Sequence, residues 1–259
     1  MLMDASLAPV RAWRASRLPL VRFVPLALFL SWAASSPNDA SWSEAAIGAV
    51  LAFALVAQFR LWDDIVDRHR DRAAHPERVM AQATSARAFA LLCVALGAGN
   101  LLGLVAIKGL VPAGAYLLLA AGLCAWYRCD RPRDWVHTHV LTLKYPAFVL
   151  LLALPQVPMH ALALSALVVY SAMCAFELLD NAADRGVDYA ALGMHCAALS
   201  AVPAITHHGF MAQPASMLVG VMLALGGWRR YVGKPPHYTA YLPFVAAAIA
   251  LHSISGGST

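Results

Sequence analysis

Hydrophobic residues along this chain come in blocks of about 15 to 20, separated by short stretches rich in Pro, Gly, Arg and acidic residues. Blocks of that length approach what a helix needs to cross hydrocarbon. The pattern predicts nine apolar segments, near residues 18–34, 44–62, 85–106, 111–127, 137–154, 160–179, 190–206, 214–230 and 238–254. Breaks such as Ser35-Ser36-Pro37-Asn38-Asp39 and Pro155-Gln156-Val157-Pro158 carry the turn chemistry expected between them. The expected fold is all-α: a polytopic membrane protein with about nine transmembrane helices in a single bundle. Nothing in the pattern resembles a linker or a soluble appendage. Residues 1–259 are therefore expected to form one transmembrane domain with a basic N-terminal segment at about 1–17.

Composition agrees. The chain is 61% hydrophobic and 13% charged, where a soluble domain carries about 25% charged residues. The net charge of +5 raises the question of nucleic acid, but the basic residues lie in short runs between apolar blocks, where membrane topology accounts for them. With the N-terminus in the cytoplasm, Arg11, Arg14, Arg17 and Arg22 lie inside or at the inner boundary. Arg60, Arg68, Arg70, Arg72, Arg78 and Arg87 join them, as do Arg128, Arg131, Arg133, Arg185, Arg229, Arg230 and Lys234. Only Lys108 falls in a predicted outer loop, and Lys144 lies within a segment. This asymmetry leaves the C-terminus outside and suits a bacterial inner membrane. An Arg-rich start, an apolar core and Ala33-Ala34-Ser35 also fit a cleaved signal peptide; the second segment would then still run outside to inside. Residues 4–17 read as a basic interfacial helix with Trp13 at headgroup level. The five cysteines, Cys93, Cys124, Cys129, Cys174 and Cys196, show no C-x-x-C pair and read as small apolar residues.

The acidic residues change the picture most. Of 14 Asp and Glu, nine lie in two short stretches, Asp63 to Glu77 and Glu177 to Asp188. Both follow apolar segments and both fall on the predicted cytoplasmic side. On a helix Asp64, Asp67 and Asp71 share one face, and Glu177, Asp180 and Asp184 repeat the same i, i+3, i+7 spacing. A solvated helix end with Arg68, Arg70 and Arg72 pairing neighbouring acids explains one such run; two matching runs favour a working site. Ionised groups at membrane helix ends are costly, and carboxylate faces converging on one space suit Mg²⁺ carrying a diphosphate. Candidate basic partners are Arg60, one turn before Asp64, then Arg78, Arg131 and Lys144. Lys144 is expected to face a cavity or a partner, with snorkelling to an interface as the alternative. His137 and His139 read as a polar helix start or as a proton acceptor. His195 and Asn100 read as hydrogen-bonding groups between helices. Trp62, Trp126, Trp135 and Trp228 read as an aromatic belt.

Asp63-Asp64-Ile65-Val66-Asp67-Arg68-His69-Arg70-Asp71 resembles the first Asp-rich motif of the UbiA superfamily of intramembrane prenyltransferases, N/D-D-x-x-D-x-x-x-D. His75-Pro76-Glu77-Arg78 looks like that family's basic stretch after the motif, and Tyr127-x-x-x-Arg131 is similar to its Y-x-x-x-K element. Glu177-Leu178-Leu179-Asp180-Asn181-Ala182-Ala183-Asp184 stands where the second Asp-rich motif lies. The chain departs at Asp63 for the commoner Asn, Val79 for a Pro, Arg131 for Lys and Glu177 for the first Asp of the second motif.

The resemblance implies a transmembrane prenyltransferase domain with a cytoplasm-facing active-site cavity. Its reaction is Mg²⁺-dependent ionisation of an allylic isoprenyl diphosphate and capture of the cation by an aromatic or lipid-like acceptor within the membrane. By carry-over Asp64, Asp67, Asp180 and Asp184 are the catalytic set. The metal ligands are these with Asp63, Asp71 and Glu177. Tyr127, Arg78 and Arg131 contact diphosphate, to which burial and register add Arg60 and Lys144. Expected partners are an isoprenyl diphosphate, a hydrophobic or aromatic acceptor and membrane lipid, with no nucleic acid and no obligate protein partner. Alternatives are a terpene cyclase of the same fold and a non-enzymatic cation transporter. A CDP-alcohol phosphotransferase is disfavoured, because no D-x-x-D-G-x-x-A-R run is present.

Overall fold

The computed structural model describes residues 2–35, 41–129, 135–180, 189–206 and 242–256, and among these the regular structure is entirely helical. The helices are α1 (Leu2–Arg17), α2 (Leu20–Ala33), α3 (Trp42–Ala74), α4 (Val79–Gln82), α5 (Arg87–Lys108), α6 (Leu110–Arg128), α7 (Trp135–Thr142), α8 (Lys144–Leu152), α9 (Met159–Asp180), α10 (Tyr189–Thr206) and α11 (Leu242–Gly256). The chain forms two compact units. One comprises Met1–Ser31 and Ser41–Cys129, the other Trp32–Ala40 and Asp130–Thr259. Among the described residues, four helices, α3, α5, α6 and α9, are long and apolar enough to cross a membrane, and the bent pair α1–α2 makes a fifth if counted as one span. The predicted segment at 214–230 lies outside the described residues.

In the first unit, Pro19 disfavours helical conformation at Leu18, and the chain turns by 65° between α1 and α2. The turn lays α1 against the bundle. Trp13 is 2% exposed and packs with Leu18, Ala57, Leu61, Met80 and Phe89. This corrects the interfacial reading of residues 4–17, because Trp13 is a core residue rather than a headgroup anchor.

The first unit is organised by α3. It begins with a capping box in which Glu44 N–H donates to the Ser41 side chain and Ser41 N–H donates to the Glu44 carboxylate. Its apolar stretch is predicted to stop near 62, but the helix continues to Ala74. At 1.5 Å per residue its 33 residues span about 50 Å, well beyond the ~30 Å of hydrocarbon. The acidic residues therefore ride on the last turns of the same continuous rod. The helix closes with His75 N–H donating to the Asp71 carbonyl, and Pro76 cannot extend it.

α5 packs on α3, and α6 on α5. A buried polar knot ties the three together: Asn100 Nδ2 donates to Gln58 Oε1 (2.6 Å) and to the Ala54 carbonyl (3.2 Å), and the Tyr116 hydroxyl donates to Gln58 Oε1 (2.8 Å). Asn100 thus makes the interhelical bonds its apolar surroundings predicted. α2 and α3 approach closely at Gly48, where an added Cβ would fall on Ser31 Oγ.

In the second unit α9 is central, touching α7, α8, α10 and α11. Ala172, Ala175, Ala246, Ala247 and Ala250 are fully buried, the small-residue packing that lets membrane helices draw close. The predicted single segment at 137–154 is two helices, α7 and α8. Pro146 has no N–H to offer the Thr142 carbonyl, and the break falls at Leu143, immediately before Lys144.

Candidate functional site

The extension of α3 presents its acids as the spacing predicts. Asp64 and Asp71 are each 3% exposed, Asp67 is half-buried between them, and His69 and Arg70 are exposed on the opposite side. A buried carboxylate needs compensation, and each buried acid here receives it from a different element.

Asp64 is held from α1. Arg17 makes a bidentate contact, with Nη2 2.8 Å from Oδ1 and Nε 3.2 Å from Oδ2, and Trp13 Nε1 donates to Oδ2 at 2.8 Å. Arg60 Nη2 lies 4.0 Å from Oδ1 from one turn earlier on α3. Asp71 is held from the segment after the helix, where Arg78 Nη1 donates to Oδ1 at 2.6 Å. Its Oδ2 is buried and has no hydrogen-bond partner among the described residues. Asp63 accepts from the Tyr127 hydroxyl at the end of α6, and the Tyr127 ring lies 5.6 Å from the Trp62 ring. The structure thus brings Arg60, Arg78 and Tyr127 onto the first motif itself.

Arg68 and Arg72 do something the sequence did not announce. Instead of pairing neighbouring acids, Arg68 donates to the Met80 and Ala83 carbonyls and Arg72 to the Ala81 carbonyl. They gather the carbonyls at the end of α4 and fasten the post-motif segment to α3. That fastening keeps Arg78 within reach of Asp71.

Trp13 and Arg17 are the functional residues that sequence reasoning misses. Topology suffices to explain Arg17 in the sequence, and the interface suffices for Trp13. The available signal is the i, i+3, i+7 spacing of Val10, Trp13 and Arg17 on one face of α1, two apolar residues leading to a cation.

In the second unit, Glu177 is half-buried on the last turn of α9 and Asp180 ends that helix. Asp184 and Arg131 lie outside the described residues. Lys144 is 5% exposed at the start of α8, with Nζ 5.6 Å from the Tyr145 ring centroid. It is buried, as expected of a Lys facing the protein. His139 and His195 belong to one cluster: the His139 and His195 ring centroids are 5.3 Å apart, and His139 Nδ1 lies 2.8 Å from the Tyr170 hydroxyl.

Mg²⁺ is the metal the acidic motifs imply, and the donor chemistry of the first motif fits it. The candidate ligands are all hard carboxylate oxygens, and Asp71 Oδ2 is a buried acceptor with no hydrogen bond among the described residues. Asp64 fits less directly, since both of its oxygens already accept bonds from α1. Comparison of the chain with family models, with curated proteins and with solved structures finds no match.

Proposed function

We propose that this chain is a membrane-embedded prenyltransferase that transfers an isoprenyl group from an allylic diphosphate to an aromatic or lipid-like acceptor. The observation that carries the reading is the acidic face of α3, where the carboxylates of Asp64 and Asp71 are each set against arginine at the end of a membrane-length helix. Carboxylates and guanidinium groups side by side suit a metal-bound diphosphate, since the acids hold the cation and the arginines hold phosphate oxygens.

On this reading Asp67 and Asp71 of the first motif, and Glu177, Asp180 and Asp184 of the second, hold Mg²⁺. Asp63 is aligned by Tyr127. Arg60 and Arg78, with Arg131 and Lys144, bind the diphosphate. Asp64 fixes Arg17 and Arg60 and would complete the metal set. Mg²⁺ supplies neutralisation of the charge that builds on the departing oxygens. The allylic C–O bond breaks, diphosphate leaves, the acceptor's electron pair forms the new C–C or C–O bond, and the acceptor gives up a proton. Apolar helix surfaces hold the prenyl chain and keep water from the cation. About nine spans and cytoplasmic acidic motifs in a bacterial inner membrane complete the proposal.

The test is diphosphate release by the purified chain in nanodiscs, given geranyl, farnesyl or geranylgeranyl diphosphate with and without Mg²⁺ and a membrane lipid extract. Mg²⁺-dependent release is expected, reduced on the order of a hundredfold in Asp67→Asn and in Asp180→Asn. Dependence on the extract indicates transfer; release without it indicates cyclisation. If no diphosphate binds or reacts under any condition, the reading fails.

A further inference from the structure

We propose that His139, Cys174 and His195 form a binding site for a thiophilic transition-metal ion of the Zn²⁺ class, pinning α7, α9 and α10 together. One ligand atom from each residue lies within 4.8 Å of the others, with Cys174 and His195 buried and His139 half-buried. Each helix contributes one ligand, so the site exists only in the folded second unit. The residues are 35 and 21 positions apart along the chain, so no spacing motif announces them.

The hydrogen bonding in the cluster leaves one buried nitrogen without a partner among the described residues. His139 Nδ1 has two neighbours, the Tyr170 hydroxyl at 2.8 Å and Cys174 Sγ at 3.4 Å. A neutral imidazole nitrogen offers one hydrogen or one lone pair, so it bonds one of them, and the Cys174 thiol also has Tyr170 and Thr142 as partners. Beside it, His195 is 2% exposed and its Nε2 is buried with no hydrogen-bond partner among the described residues. An orphaned imidazole nitrogen thus sits beside a second imidazole and a thiol. A buried unsatisfied imidazole nitrogen is costly, and a metal ion uses these lone pairs as ligands.

The donor set selects the metal. One thiolate and two imidazoles suit Zn²⁺ or Cu⁺ and are poor ligands for Mg²⁺. Tetrahedral Zn²⁺, with Zn–S near 2.3 Å and Zn–N near 2.0 Å, places sulfur and nitrogen about 3.5 Å apart. The Cys174 Sγ to His139 Nδ1 distance of 3.4 Å matches that ligand edge. The Tyr170 hydroxyl lies beside the cluster, 2.8 Å from His139 Nδ1. On binding, the Cys174 S–H bond is replaced by a sulfur–metal bond and the proton leaves to solvent, so affinity falls as pH falls. Cys174 sits one turn before Glu177 on α9, so the ion would hold the helix that carries the second acidic motif. The site stands apart from the prenyltransferase reading, since its ligands are nitrogen and sulfur rather than carboxylates.

The experiment uses the full chain in detergent, stripped with a chelator and reloaded with Zn²⁺ or with Co²⁺ as a spectroscopic probe. One Zn²⁺ per chain is expected, with X-ray absorption showing one sulfur and two nitrogen scatterers and Co²⁺ giving a thiolate charge-transfer band. Cys174→Ser and His195→Gln should each weaken binding by at least about tenfold, while Cys93→Ser leaves it unchanged. Absence of stoichiometric Zn²⁺ or of sulfur scattering in the unaltered chain overturns the proposal. So does Zn²⁺ retained equally in Cys174→Ser and His195→Gln. If those variants do not fold, the spectra of the unaltered chain decide, because the acidic motifs offer no sulfur.

Discussion

Arg17 shows how much one side chain carries here. Its guanidinium meets a carboxylate that is 4% exposed, so deleting it strands a buried charge rather than merely removing a surface pair. Arg17→Ala should destabilise the detergent-solubilised protein by on the order of 2 kcal/mol, the remaining Arg60 and Trp13 contacts keeping the loss below that of a fully orphaned ion. Combining it with Asp64→Asn should recover part of that loss, since the amide has no charge to compensate. A thermal melt of the four-member cycle reads the coupling directly, and additive effects would show that the pair is not coupled. Tyr127→Phe is milder. It leaves Asp63 in place without its hydroxyl donor, so activity should fall about tenfold or less while the melting temperature hardly moves.

At the scale of elements, the close approach of α2 and α3 gives a test of packing. Gly48→Ala improves helix propensity, yet its Cβ falls on Ser31 Oγ and displaces the hydrogen bond that Oγ donates to the Ala45 carbonyl. The double variant Gly48→Ala with Ser31→Ala should be more stable than Gly48→Ala by about 1 kcal/mol. Gln58→Leu tests the polar knot: it removes the acceptor that Asn100 Nδ2 and the Tyr116 hydroxyl share, leaves them only the longer bonds to the Ala54 and Gly97 carbonyls, and should cost about 1 kcal/mol. Helix boundaries for α5, α6 and α9 are legible in the sequence to within a few residues, because apolar length and flanking charge set them. The α7–α8 break is hidden inside an apolar run, where Pro146 acts on a carbonyl one turn back. The partners of Asp64 lie 47 and 51 residues away, and the His139–Cys174–His195 cluster spans three helices. Periodicity reports which face of a helix is buried, not what it is buried against.

For the whole molecule, the outer surface speaks to the setting. Leu91, Val94, Leu102, Leu110, Val111 and Leu118 are more than half exposed on α5 and α6, an apolar surface that water does not tolerate and lipid does. The chain should remain in the membrane pellet through alkaline carbonate extraction; recovery in the supernatant would contradict the membrane reading. The 65° turn between α1 and α2 has a consequence of a different kind. The sequence of α1 reads as a basic helix at the membrane surface, and a protein engineer trimming the chain for expression would discard it first. Folded back, it is the lock on the first acidic motif. A chain shortened to start at α2 would keep its apolar spans and every carboxylate of the two motifs, yet lose both the indole and the guanidinium that hold Asp64.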